Sequence, residues 1–281
     1  MIRTGSSTSR RRGGIPARLL IAAAVAIFSL ITYFSTRQTN PVTDEVQNIS
    51  MTVEQEIMLG EQAAPEMVAQ FGGLSANEQL QAQIDQIGQQ ILAGSEASEA
   101  PYPFEFHVLA DQQTVNAFAL PGGQVFVTEA LLGLLQSEGE IAGVLAHEIV
   151  HVVGRHSAEQ VARAQLTEGL TGAAVIATYD PENPSSQQSA AMAQLIGQTI
   201  NMKYGRDDEL ESDRLGVQYM ADAGYDPRAL IRVMQVLAEA NQGAQPPEFL
   251  STHPDPGNRI EQIEAAINER FPDGVPEGLT P

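Results

Sequence analysis

His147-Glu148-Ile149-Val150-His151 sets two histidines four residues apart around a glutamate. A helix turns about 100° per residue, so on a helix His147 and His151 stand one turn apart on one face. Two imidazoles so placed hold a single Zn²⁺ at about 2.0–2.1 Å from each nitrogen. Glu148 is near enough to act on a metal-held water without itself being a ligand. The pattern carries this meaning only if it is helical. Ser137-Glu138-Gly139-Glu140 reads as a capping box that starts such a helix, and Ile141, Val144, Leu145, Ile149 and Val152 give it an apolar surface to bury.

The site needs a third ligand. Gly154 and His156 suggest the longer H-E-x-x-H-x-x-G-x-x-H pattern, but its last histidine belongs at 157, which is Ser157. If the helix continues, His156 falls on the far side from His151 and cannot share its metal. The other candidate is the acidic run Arg206–Asp213, whose bland reading is a solvated face. Within it Glu209 and Asp213 share a helix face, while Glu211 points about 200° away from Glu209. Glu209 can then bind the metal while Asp213 accepts a hydrogen bond from the far nitrogen of a ligand histidine. Spacing alone leaves Asp208 open as the ligand instead.

Composition limits the alternatives. The 281-residue chain carries 15 basic and 35 acidic residues and no cysteine. Cysteine-free, it has no disulfide, thiolate ligand or cysteine nucleophile. Six arginines (Arg3, Arg10, Arg11, Arg12, Arg18 and Arg37) and no acid lie in residues 1–37, leaving a strongly acidic body. Such a body argues against nucleic acid as a partner.

Leu19–Phe34 is an uncharged apolar run after the basic leader. It spans roughly 24 Å as a helix, slightly short of a bilayer core. The expected organisation is a basic cytoplasmic leader (1–18), a transmembrane signal anchor (19–36), a polar linker (37–50), a folded domain (51–271) and a flexible Pro/Gly-rich tail (272–281). Cleavage of the anchor as a signal peptide, giving a secreted protein, is the alternative. The leading arginines predict a cytoplasmic N-terminus and an extracytoplasmic domain.

Within the domain, helices are expected over Thr52–Phe71, opened by a Thr52/Gln55 capping box, and from Ser75 to Leu92. Phe104–Leu109, Val115–Leu120 and Gln124–Thr128 read as strands of a small sheet before the metal helix. His107, inside the first strand, reads as a packed or surface residue. Leu166–Ala177 is apolar, and a helical pattern resumes over Gln187–Ile200. Core packing is the expectation for this region, with a lid or a membrane-touching hairpin as alternatives. Helices over Arg206–Ala223, Pro227–Ala240 and Pro256–Phe271 complete an α+β, predominantly helical fold. No internal repeat is evident, and no helical-repeat domain is expected after the core.

H-E-I-V-H, then E-L-E-S-D-R-L-G and A-G-Y-D-P, resembles the membrane-associated zinc metallopeptidases of the HtpX, BepA and Ste type, which include CAAX proteases. The similarity runs roughly from Thr52 to Phe271. It implies a zincin-like metalloprotease domain holding one Zn²⁺ per chain through His147, His151 and Glu209, with Glu148 as the general base. It also implies that Asn116 and Ala117, in N-A-F-A-L-P-G-G, belong to an edge strand that pairs with extended polypeptide substrates. His253 and Arg259, in an H-P-x-x-x-x-R element, are implied to steady the transition state. The resulting expectation is an endopeptidase acting on misfolded or unassembled envelope proteins. A metal-stabilised chaperone-like binding protein and a latent protease blocked by His253 are the rivals. A CAAX-prenyl protease needs several membrane spans, and the sequence offers one clear span.

Overall fold

A computed structural model describes residues 16–178, 204–242, 246–254 and 257–281. The resumed helical pattern at Gln187–Ile200, most of the basic leader and Pro256 lie outside the described residues. Helix α1 (Ala17–Ser35) leads into a hairpin of β1 (Arg37–Thr39) and β2 (Val46–Asn48), then α2 (Val53–Gln70), α3 (Glu78–Gly94) and a 3-10 turn (Glu96–Glu99). A sheet follows, from β3 (Glu105–Leu109), β4 (Ala117–Leu120) and β5 (Gln124–Thr128), and then α4 (Glu129–Leu132), α5 (Glu138–Val153) and α6 (His156–Thr178). The last described helices are α7 (Arg206–Asp222), α8 (Arg228–Ala240), the one-turn α9 (Phe249–Thr252) and α10 (Arg259–Arg270).

Local chemistry accounts for these starts and stops. Thr52 and Gln55 form the reciprocal capping box that opens α2, and Gly72 at φ 80° lets the chain leave it. Asn77, rather than Ser75, caps α3 by accepting from the Leu80 N–H at 3.1 Å. Ile84, Ile87 and Ile91 line the buried face of α3. At Gly88 an added Cβ would stand 2.4 Å from the Phe106 ring, so the helix lies on β3 at a distance only glycine permits.

The sheet order is β3-β5-β4, with β5 parallel to β3 and antiparallel to β4. β5 is buried along its length, and β4 is an edge strand with Phe118 and Leu120 on its more exposed face. Against this sheet, α3, α7 and α8 enclose α5, in which every residue from Gly139 to Val153 is buried.

A helix buried to this depth needs its end groups satisfied. At the N-terminus Ser137 Oγ accepts from the Glu140 N–H at 3.2 Å, and Pro281 O accepts from the Gly139 N–H at 2.8 Å. The Glu140 carboxylate takes the Gln136 N–H at 2.7 Å instead of returning to Ser137, so the expected capping box is half formed. At the C-terminus Asn40 Nδ2 donates to Val153 O at 2.9 Å, and Gln47 Nε2 donates to Gly154 O.

Three expectations change. Residues 37–50 are not a simple linker: Asn40 and Gln47 are buried because they cap the metal-motif helix. Residues 272–281 are tied down at their end, where Thr280 bridges Tyr225 and Pro281 meets α5. Residues 166–178 do not join the main core. They continue α6 along α1, where a Cβ on Gly169 would stand 2.1 Å from Ser29 Oγ. The cause in each case is a partner distant in sequence.

Replacing Asn40 by Ala strands the Val153 carbonyl in a dry environment and removes the acceptor of the Val42 N–H. The expected loss is about 1–3 kcal/mol of stability, read from urea unfolding. An unchanged midpoint would show that water replaces the amide there.

Candidate active site

α5 and α7 cross with their motif faces together, Gly216 of α7 facing the backbone of Ala146 and His147. His147 Nε2 and His151 Nε2 point to a common point, 3.0 Å apart. Glu209 Oε2 lies 3.5 Å from the first nitrogen and its Oε1 lies 3.6 Å from the second. His253, presented at the end of α9, brings Nδ1 to 3.1 Å from Glu209 Oε1 and 3.4 Å from His147 Nε2. Donor atoms of His147, His151, Glu209 and His253 all lie within 4.8 Å of one another, and all four residues are buried.

The donor set fits a metal. Two imidazoles, a carboxylate and a third imidazole form an N/O set that suits Zn²⁺. Both carboxylate oxygens of Glu148 and Nε2 of His253 are buried without a hydrogen-bond partner among the described residues. Orphaned polar groups cost free energy, and so many in one place mark a site built around something further.

Behind the donors lies a supporting layer. His147 Nδ1 faces Asp213 Oδ1 at 3.1 Å. Arg259 grips Asp213 through Nε at 2.7 Å and Nη2 at 2.6 Å, while its Nη1 lies 3.1 Å from Glu209 Oε2. Arg259 thus lies against the carboxylates of Asp213 and Glu209. Asp208, the other carboxylate the spacing leaves open, accepts from the Gly205 N–H at 2.8 Å and stays out of the donor cluster. His107 is remote: it bonds Gln124 Oε1 at 2.7 Å and stacks on Phe126.

Three residues that sequence reasoning passed over belong to the site. The helix does not continue past Val153. Arg155 takes a left-handed φ of 57°, and the chain turns back so that His156 Nδ1 sits 2.8 Å from His151 Nδ1. Arg155 is held in that conformation by Glu56, which also accepts from Tyr102 Oη at 3.1 Å, and by Met51 O at 3.0 Å. His156 Nε2 reaches Glu211 Oε2 at 3.2 Å, so Glu211 joins the site through a histidine. Tyr204 stacks on His151 with ring centres 4.0 Å apart. Glu211 and Tyr204 leave no signal at ligand spacing; His156 would have been found had the break at Gly154-Arg155 been foreseen.

Asn116 sits at the mouth of β4, its backbone N–H donating to Thr128 Oγ1 at 3.1 Å and its carbonyl accepting from the Thr128 N–H at 3.0 Å. Ala117 follows as the first residue of that strand. A groove of about 270 Å³ runs beside the strand, lined among others by Phe71, Asn116, Phe118, Gln160, Tyr204 and Thr252. The side-chain atoms Asn116 Oδ1 and Gln160 Nε2 have no partner among the described residues.

Electrostatics separate the two carboxylates of the centre. Burial raises the Glu148 pKa and outweighs the positive neighbours. Burial acts the same way on Glu209, but His253 and His147 outweigh it and hold that carboxyl well below its usual range. For His147, burial favours the neutral ring, yet hydrogen bonds to Asp213 and Glu209 prevail and lift it to about 9. His151 falls well below its ordinary value, through burial first and then the positive charges of its neighbours.

A helix carrying H-E-x-x-H, a second helix supplying a carboxylate and a small sheet with a free edge strand define a zincin-like metallopeptidase. Residues 78–267 match Peptidase family M48, and the chain belongs to that family. Members of this family are metal-dependent peptidases, and the buried cluster of His147, His151, Glu209 and His253 is a group that could hold such a metal. The chain is 32% identical over 229 residues to the beta-barrel assembly-enhancing protease of Yersinia pestis, covering 79% of this chain and 46% of the relative. With the mitochondrial metalloendopeptidase OMA1 of Schizosaccharomyces pombe it shares 29% identity, over 85% of this chain and 69% of the relative. Bovine OMA1 is 36% identical over 57% of this chain and 32% of its own length. The chain thus spans less than half the length of the Yersinia protein.

Metal-free His147 keeps its proton until about pH 9, and a ligand imidazole must be neutral. Binding of Zn²⁺ near pH 7 should therefore release about one proton, and affinity should rise roughly tenfold per pH unit below that value. Titration calorimetry in buffers of different ionisation heat measures both. An affinity flat between pH 6 and 8 would place the proton elsewhere.

Proposed function

We propose that the chain is a zinc-dependent endopeptidase, held to a membrane by α1, that cleaves misfolded or unassembled envelope proteins. The observation that carries the chemistry is the convergence of His147, His151 and Glu209 beside an unpartnered, buried Glu148. His147, His151 and Glu209 would hold the cation, which would supply Lewis acidity to the scissile carbonyl and to the attacking water. Glu148, with its pKa raised by burial, takes the proton of that water and passes it to the departing amine. His253, whose Nε2 is 3.6 Å from Glu148 Oε1, is placed to steady charge developing on the carbonyl oxygen. Arg259 acts through Asp213, keeping it ionised and aimed, and pairs with Glu209.

Substrate is read as an added strand on β4, starting at Asn116 and Ala117. Backbone hydrogen bonds make such recognition sequence-tolerant. Asn116 Oδ1 and Gln160 Nε2 offer one acceptor and one donor to that backbone. Phe71 and Phe118, packed 5.4 Å apart, offer an apolar floor to its side chains. A strand-like, sequence-tolerant mode suits unfolded chains rather than one fixed target.

For the membrane, α1 is 19 residues long with mean hydropathy 2.0, enough to cross a bilayer by length and composition. A cleaved signal sequence meets the same criterion. The arginines ahead of it support a cytoplasmic N-terminus and an extracytoplasmic, periplasmic catalytic domain.

A second reading, a latent state, is favoured by one observation: His253 completes four donors within 4.8 Å, whereas a working catalytic zinc keeps one position open. In that state His253 is displaced before substrate binds.

Glu148→Gln should keep a full zinc complement and lose casein cleavage by at least about 100-fold; undiminished cleavage would sink the mechanism. Glu209→Ala should instead purify with little zinc, checked by elemental analysis. His253→Ala separates the two roles of the latch histidine: activity rises if it blocks the metal and falls if it steadies the oxyanion.

A further inference from the structure

The two motif histidines are supported from behind in different ways. His147 Nδ1 meets a carboxylate, Asp213, which is itself clamped by Arg259. His151 Nδ1 meets another imidazole, that of His156, at 2.8 Å. His156 is fully buried, and its other nitrogen lies 3.2 Å from Glu211 Oε2. Room for the ring is made by Gly154, where a Cβ would stand 2.5 Å from His156 Nε2. Its place against His151 follows from the left-handed turn at Arg155, which the buried Glu56 secures.

Two ring nitrogens 2.8 Å apart share one proton, and the surroundings say where it belongs. His151 turns Nε2 towards the donor cluster, and that nitrogen must be bare to hold a cation. Its hydrogen is therefore on Nδ1 and is donated to His156 Nδ1. His156 then carries its own hydrogen on Nε2, which faces the Glu211 carboxylate as a donor should. Ser212 does not compete for the shared position, because its hydroxyl donates to Asp208 O at 2.8 Å. Every nitrogen in the chain of contacts has one role, and the roles are mutually consistent.

We propose that Glu211, His156 and His151 form a fixed hydrogen-bond relay that sets the tautomer and direction of the second metal-holding histidine. His156 and Glu211 are positioning residues, since neither reaches the donor cluster. The relay puts a neutral imidazole where His147 has a carboxylate, with the negative charge one ring further out. His151 is thus aimed as firmly as His147 while receiving less added basicity. Because His156 is also the first residue of α6, the aim of His151 is tied to the helix that packs along α1.

The relay rests on the zinc-site reading, and its test keeps the two apart. The probe is Zn²⁺ itself, titrated into the full chain in detergent against a fluorescent chelator, with thermal unfolding of the metal-free protein measured alongside. His156→Ala should weaken zinc binding by about 10–100-fold. His156→Asn sets its side-chain oxygen where Nδ1 accepts, and should recover to within about 3-fold of the unaltered chain. His156→Gln sets its amide nearer to Nε2, keeps Glu211 company and leaves His151 unsupported, so its affinity should stay low. Glu211→Ala, at a side chain 13% exposed, should fold normally and lose about 3–10-fold. Wild-type affinity in His156→Ala or Glu211→Ala overturns the relay, as does equal recovery by Asn and Gln, the mark of simple space-filling. If the unaltered chain itself binds no Zn²⁺, the zinc-site reading falls and the relay falls with it.

Discussion

Asp213 holds the centre together because it satisfies two demands at once. Glu148, Glu209 and Asp213 are all buried, and an uncompensated buried charge costs several kcal/mol. Arg259 supplies the fixed compensating cation: its planar fork takes both oxygens of Asp213 and still reaches Glu209. Asp213 in turn faces Nδ1 of His147, which leaves Nε2 for the donor cluster. One arginine thereby stabilises two carboxylates and, through one of them, fixes a histidine. Glu148 accepts no hydrogen bond from this network, and burial raises its pKa.

The same economy shapes the scaffold. α5 is buried on all sides, so its terminal amides and carbonyls meet protein rather than water. Asn40 and Gln47 meet them at one end, Ser137 and Pro281 at the other. Ser137 is local, but Asn40 and Gln47 lie 113 and 107 residues before the carbonyls they cap, and Pro281 lies at the far end of the chain, in segments of unremarkable composition. The strands behave similarly. β4 remains an edge because β5 sits between it and β3, and that order leaves one side of β4 for an extended chain.

What the sequence disclosed, and what it hid, divides along physical lines. Spacing within one helix is legible: His147 with His151, and Glu209 with Asp213, share faces as the helical period requires. Local caps are legible too, as Thr52 with Gln55 shows. The three strands also appear near their expected bounds. Hidden features depend on contacts between distant segments. Residues 37–50 look like a linker because nothing in Asn40 or Gln47 announces a helix terminus 107 or 113 residues away. On a continuing helix His156 would fall on the far side from His151. The break that reverses this puts the left-handed conformation on Arg155 rather than on the neighbouring Gly154, which stays right-handed at φ −69°. A glycine at 155 would have announced the turn. An arginine there costs backbone strain, offset by its ion pair with Glu56.

α1 and α6 pose the remaining physical question, which is what covers their outer surface. On α1, Leu20, Ile21, Ile27, Phe28, Ile31 and Phe34 are each more than half exposed. So contiguous an apolar surface is not stable against water, and single exposed leucines offer no parallel. α6 covers only one side of α1, the side where Ser29 meets Gly169, and Ala173 is the one buried residue of its outer half. α6 begins at His156, one residue beyond the left-handed turn at Arg155. His156, the first residue of α6, also meets His151 at 2.8 Å, so the helix packed along α1 begins in the layer that supports the donor cluster.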